Sequence, residues 1–201
     1  IGMCNSNCGT GYAEMFMDYG AMWNIPLTTT DILDNYNNGI SSQNSNLVAH
    51  WNFNDGEGST LTDLSGNSNH GTIYGATWSD DVPPAPQQTS PNHSLSFDGV
   101  DDNVELANRP ITGVVDAFTI ITSFKTNRLN SDQQIIYEQC GDYKDYSLSL
   151  NSNYHDSENP DSDYTLGFYL AVSQGGQGHA YAPVESISEN TWHKAAIVWD
   201  G

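Results

Sequence analysis

Residues 94–106, Ser94-Leu95-Ser96-Phe97-Asp98-Gly99-Val100-Asp101-Asp102-Asn103-Val104-Glu105-Leu106, hold two short runs on either side of an Asp-Gly turn. Side chains of an extended chain alternate between faces, so Leu95 and Phe97 share one face of the first run, and Val104 and Leu106 share one face of the second. Asp-Gly between such runs is a hairpin signal. Similar runs recur on both sides: 11–24, 46–53 and 72–78 before it, and 118–124, 134–138, 146–150, 164–171 and 192–199 after it. Turn residues separate them, with long Gly, Asn, Asp and Ser stretches at 54–69, 151–163 and 173–178. A Pro-rich stretch, 79–94, reads as an exposed connection. One helix is expected after Pro26, capped by a Thr, with Ile32, Leu33 and Tyr36 on one face and Asn37-Asn38-Gly39 as its stop. This pattern predicts an all-β fold, an antiparallel two-sheet sandwich or jelly roll with one short helix.

The charge balance narrows the partners. The chain has 25 Asp and Glu against 5 Lys and Arg, a formal net charge of -20, and His is its only basic residue type before Arg109. Binding nucleic acid requires cations that displace counterions from phosphates, so nucleic acid is excluded as a partner, and anionic membrane surfaces are disfavoured on the same ground. The 5 Trp, 11 Tyr and 6 Phe argue for a folded core rather than acidic disorder. No apolar run reaches the roughly 20 residues of a membrane span, so no membrane insertion is expected. Cys4 and Cys8 can close a small disulfide loop in an exported chain, leaving Cys140 over, whereas the pair alone lacks the four ligands of a zinc site.

Several phrases in order resemble laminin-G-like jelly-roll domains of the concanavalin A-like lectin/glucanase superfamily. They are Leu47-Val48-Ala49-His50-Trp51-Asn52-Phe53, Gly56-Glu57-Gly58, Asp63-Leu64-Ser65-Gly66-Asn67-Ser68-Asn69-His70-Gly71-Thr72, Leu95 to Val104, Phe118-Thr119-Ile120 and Trp192-His193-Lys194-Ala195-Ala196. Met22 to Leu27 with the helix start at Asp31-Ile32 is similar to the closing strand and helix of such a domain. The resemblance implies a tandem excerpt: residues 1–42 closing a preceding module, and residues 46–201 forming a jelly roll that lacks its usual last strands. A jelly roll without those strands exposes open edges, so the strand around Tyr12 to Trp23 is expected to complete the sandwich by permutation or swapping.

The candidate sites lie in loops. Calcium takes six to eight oxygens from carboxylates, amides, carbonyls and water. Asp98, Asp101 and Asp102 around Gly99 can supply part of such a shell, as can Asp63, Asn67 and Asn69 around Gly66. Asp142 and Asp145 sit where the resemblance to pentraxin-like domains implies a calcium loop, although Lys144 lies between them. The Asp98 and Asp63 clusters each have a local alternative in turn chemistry. Tyr143, Tyr154, Tyr164, His179 and Tyr181 are candidates for a glycan platform, against the alternative of partly buried strand-end residues. Trp51, Trp78, Trp192 and Trp199 are expected in the core, and His50 and His193 in structural roles.

Glucanase chemistry needs paired carboxylates on one strand face, and neither that pattern nor a G-x-S-x-G, P-loop or HExxH motif occurs in the sequence. The expectation is a non-catalytic, secreted or cell-surface module, calcium-supported, that binds a glycan or a cell-surface or matrix ligand. The competing expectation is a structural repeat of a filament, appendage or viral fibre, in which neighbouring copies complete one another's strands without binding glycan.

Overall fold

In a computed structural model, the described residues are 12–40, 45–84, 92–108, 110–111, 117–129, 133–138, 146–150, 166–172, 176–182 and 187–201. They form an antiparallel all-β sandwich with one helix. The strands are β1 (Glu14–Trp23), β2 (Leu47–Trp51), β3 (Thr60–Leu61), β4 (Gly71–Tyr74), β5 (Thr77–Ser79), β6 (Ser94–Asp98), β7 (Asn103–Leu106), β8 (Phe118–Thr126), β9 (Gln133–Glu138), β10 (Tyr146–Leu150), β11 (Leu166–Val172), β12 (Gly176–Ala182) and β13 (His193–Trp199); the helix α1 spans Thr29–Asn38. A six-stranded sheet runs β13-β8-β1-β6-β5, with β2 also paired to β1. A four-stranded sheet, β12-β11-β10-β9, and a three-stranded one, β3-β4-β7, complete the set. Apolar side chains of all three meet in one core, including Trp51, Phe97, Phe118 and Phe124 from the first sheet, Ile135, Leu148 and Leu150 from the second, and Leu61, Ile73 and Val104 from the third.

β1 lies in the middle of the large sheet. It pairs with β8 from Met15 to Trp23, with β6 from Glu14 to Met17, and with β2 from Gly20 to Trp23. The β1–β8 ladder slips once: Met17 faces Phe124 and Tyr19 faces Ser123, which leaves Asp18 as the extra residue of a bulge. A slip of one residue exchanges the faces of everything beyond it. Met15 and Met17 therefore point into the main core, as does Met22, while Tyr19, Ala21 and Trp23 point to the outer face. There they build a second, smaller core with Leu27, Leu47 and Ile121, against which Ile25, Ile32 and Ile40 pack.

The helix is fixed at its start. Thr28 Oγ1 accepts from the Asp31 backbone N–H, and the Asp31 carboxylate accepts from the Thr28 N–H, a reciprocal capping box. Gly39, at φ 76°, follows the last helical residue. The chain before the helix is tied to the sheet by Thr119, whose hydroxyl accepts from the Leu27 N–H and donates to the Ile25 carbonyl.

Three elements differ from the sequence expectation. The run 72–78 is two strands, because Gly75 at φ 76° turns a corner and sends β4 and β5 into different sheets. Residues 176–178 belong to β12 rather than to a loop, since their backbone pairs with β11. β3 interrupts the long loop 54–69. Residues 85–91 of the Pro-rich connection and the loop 151–163 lie outside the described residues.

Deleting residues 1–24 removes the strand that holds β2, β6 and β8 together. The expected product aggregates or lacks a cooperative unfolding transition; a monomer with a sharp thermal transition would contradict the placement of β1.

Candidate functional site

The candidate site is a cleft of about 200 Å³ on the outer face of the six-stranded sheet, closed on one side by the C-terminal turn of α1. Its floor is a register row across three strands. Tyr19 on β1 faces Ser123 on β8, which faces Lys194 on β13, and all three line the cleft. The Asp18 bulge is what brings Tyr19 to this face.

One wall is Tyr36, about half exposed, with Asn35, Asn37 and Asn38 beside it. Trp192, Pro83 and Pro84 also line the cleft. Trp192 is held from behind: its indole Nε1 donates to Asp81 Oδ1 at 3.2 Å, and Asp81 also pairs with Lys125, whose ammonium lies 5.7 Å from the Trp192 ring centroid. Next to it, His193 Nε2 accepts from the Ser188 N–H at 3.1 Å.

The Lys194 ammonium lies 4.7 Å from the Tyr19 ring centroid and 5.0 Å from that of Tyr36, a double cation–π contact. Burial lowers the Lys194 pKa and the nearby Asp18 charge works the other way. Beneath it, Tyr19 is almost fully buried, its hydroxyl has no hydrogen-bond partner among the described residues, and burial pushes its ionisation far above the usual value. Aromatic faces, planar amides, a hydroxyl and one charge of each sign make a surface suited to a small polar ring with apolar faces. Among the described lining residues Asp18 is the only carboxylate.

This cleft was not among the sequence expectations. Trp192 was assigned to the core, but it precedes β13 and lines the cleft instead; Trp51 is fully buried as expected, and Trp78 and Trp199 pack against the core. Tyr143, Tyr154, Tyr164, Asp142 and Asp145 lie outside the described residues. His179 and Tyr181 are on β12, opposite Tyr169 and Gly167.

Asp98, Asp101 and Asp102 come together, each with a carboxylate oxygen within 4.8 Å of the others. Asp98 Oδ1 accepts from the Val100 N–H and Asp102 Oδ2 from the Asp98 N–H, while the Asp101 side chain has no bond of this kind among the described residues. Gly75 makes room for the cluster: a Cβ there would stand 1.9 Å from Asp102 Oδ1. Burial raises the Asp102 carboxyl pKa, the Asp98 N–H bond lowers it, and the charges of Asp98 and Asp101 add to the rise. A divalent cation would relieve that repulsion, and the three carboxylates fit a hard ion whose remaining oxygens come from water.

Asp63, Asn67 and Asn69 are arranged differently. Asp63 Oδ1 accepts from the His50 and Ser65 N–H groups, and Oδ2 from the Ser65 hydroxyl and the Asn69 N–H, all between 2.8 and 2.9 Å. The Asn67 and Asn69 amides donate to β2 carbonyls, at Leu47 and Val48 for the first and Val48 for the second. The acceptor positions of Asp63 are thus taken up by the chain, and the loop clasps β2 instead of gathering oxygens around an ion.

That clasp carries a pH dependence. Burial lowers the His50 pKa from 6.5 to about 4, against the opposing charge of Asp63. Burial also acts to raise the Asp63 pKa, but the hydrogen bonds from His50, Ser65 and Asn69 outweigh it and the net shift is downward. Between pH 6.5 and 4 the unfolded chain takes up a proton on His50 that the folded chain refuses, so stability is full above this window and falls as the pH drops through it. The loss from His50 is on the order of 3 kcal/mol, with a further loss below it as Asp63 protonates. Urea titrations at pH 7, 5.5 and 4.5 should show this decline, and His50→Gln should flatten it; a decline unchanged in the variant would contradict the assignment. Comparison with models of known protein families, with curated proteins and with solved structures finds no match.

Proposed function

We propose that this chain is a non-catalytic carbohydrate-binding or adhesion module of the laminin-G-like type, exposed outside the cell and supported by calcium. The observation that carries the reading is the cleft lined by Tyr36 and Trp192, in which two aromatic side chains accompany a polar floor and helix-end amides. A sugar ring offers C–H faces to aromatics and a rim of hydroxyls to amides, and this pairing of groups is what the cleft provides. An acidic exterior is compatible with a neutral or weakly charged glycan and disfavours nucleic acid.

Calcium belongs in this reading at Asp98, Asp101 and Asp102. These residues lie at the β6–β7 turn, and an ion there would hold β6 of the large sheet to β7 of the small one. Its role would be to stabilise the sandwich rather than to touch the sugar.

Two measurements check these assignments. Binding to a glycan array should be strong for the wild-type chain and lost in Tyr36→Ala and Trp192→Ala; Tyr36 is half exposed, so its removal should cost stability only about 0.5 kcal/mol. Retained binding in both variants would remove the cleft from the account. Calcium at about 100 times its Kd should raise the thermal midpoint by several degrees. Asp101→Asn, which leaves the backbone-bonded carboxylates intact, should abolish that rise, and an undiminished rise would place the ion elsewhere.

A further inference from the structure

The cleft already holds a cation, and that cation belongs to the chain. The Lys194 ammonium lies over the ring faces of Tyr19 and Tyr36, 4.7 Å and 5.0 Å from their centroids. Burial works against its charge, while the charge of Asp18, which lines the same cleft, favours it. Aromatic faces carry negative potential and attract cations more strongly where water is partly excluded. Two rings and a carboxylate therefore make a place for an organic ammonium, and Lys194 shows that place in use. Its hold there is weak. Lys194 is exposed and forms no ion pair among the described residues, unlike Lys125 with Asp81 and Arg128 with Glu14. Its flexible stem can carry the ammonium out to water.

We propose that Lys194 stands in for a cation of the ligand: the cleft takes a sugar with a free ammonium, a hexosamine, whose amine displaces the Lys194 ammonium from the Tyr19 and Tyr36 rings. This rests on the carbohydrate-binding reading and adds its ligand class. The cleft, about 200 Å³, is smaller than the roughly 300–1,000 Å³ of pockets that enclose drug-sized ligands, so it takes one ring. Trp192 and the half-exposed Tyr36 meet the C–H faces of the sugar, and the side-chain amides of Asn35, Asn37 and Asn38 meet its hydroxyls. The Tyr19 hydroxyl is buried and takes no part; only the ring face that Lys194 covers is used.

The net charge of -20 draws a cationic sugar toward the chain and holds an anionic one off. A tethered lysine, however, competes for its own site, at an effective concentration on the order of millimolar for a short flexible tether. Affinity for the sugar is therefore lower with Lys194 in place than without it. A lysine that contacted the ligand would have the opposite effect, so the sign of the Lys194 effect decides between the two roles.

The test is calorimetric titration of the full chain with glucosamine, N-acetylglucosamine, glucose and tetramethylammonium chloride, at about pH 6, below the pKa of an ordinary α-amine. Glucosamine is expected to bind about tenfold more tightly than its two neutral relatives, the value of an ammonium over two rings. Lys194→Thr, which puts a good strand former at this exposed position, should tighten glucosamine several-fold, and Tyr36→Leu should remove its advantage over N-acetylglucosamine. Arg128→Gln makes the same change of net charge away from the cleft and should leave glucosamine binding as it was. Equal tightening in Arg128→Gln would reduce the effect to the general attraction of an acidic chain and overturn the proposal. Equal affinity for glucosamine and N-acetylglucosamine would overturn it too, as would weaker glucosamine binding in Lys194→Thr; the carbohydrate reading survives both results. Binding of tetramethylammonium but of no sugar would overturn the carbohydrate reading and the hexosamine with it, leaving the cation contact, and binding of none of the four would overturn all three.

Discussion

The single extra residue at Asp18 governs how β1 is used. Without it, Met15, Met17, Tyr19, Ala21 and Trp23 would all face the same way, because alternate residues of a strand share a face. With it, the first two enter the main core and the last three leave it for the outer face. Both cores, and the row that carries Tyr19 beside Ser123 and Lys194, depend on that change of phase. Since β1 also pairs with β2, β6 and β8, an error in its register would propagate to half the large sheet.

The outer core in turn supports the cleft. Trp23, Ala21 and Ile121 give α1 and its flanking segments an apolar seat through Ile25, Leu27, Ile32 and Ile40, while the Thr28–Asp31 box and Thr119 set the entry to the helix. No residue of α1 is fully buried, so its position rests on this modest contact. Tyr36 and the adjacent amides inherit that position. Asp81 reaches both Trp192 and Lys125 and holds the indole. The site is therefore built from five separate segments of the chain that the sheet brings together.

Much of the fold was legible in the sequence. Alternation marked most strands near their observed bounds, and Thr28 and Gly39 marked the ends of the helix. What escaped has identifiable causes. A bulge is set by the partner strand, and the sequence 14–23 read alone carries no sign that Asp18 is unpaired. β12 begins Gly176-Gln177-Gly178, and Gly is depleted in strands, so its backbone ladder with β11 was invisible to composition. The break at Gly75 looked like an isolated glycine within one strand. Composition leaves both an ion site and local turn chemistry open for the oxygen-rich loops, and the structure separates them: at Asp63 the oxygens serve N–H groups of the chain itself, while at Asp98, Asp101 and Asp102 they converge. The cleft escaped because its residues gain meaning only from cross-strand register, and because Trp192 precedes its strand by one position.

The most direct test of this account is the β1–β8 register in solution, read from cross-strand backbone contacts in NMR spectra. The account requires Met17 opposite Phe124 and Tyr19 opposite Ser123, with Asp18 opposite neither. An unbroken ladder that places Asp18 opposite Ser123 would turn Tyr19 toward the main core, and with it would go the second core and the floor of the cleft.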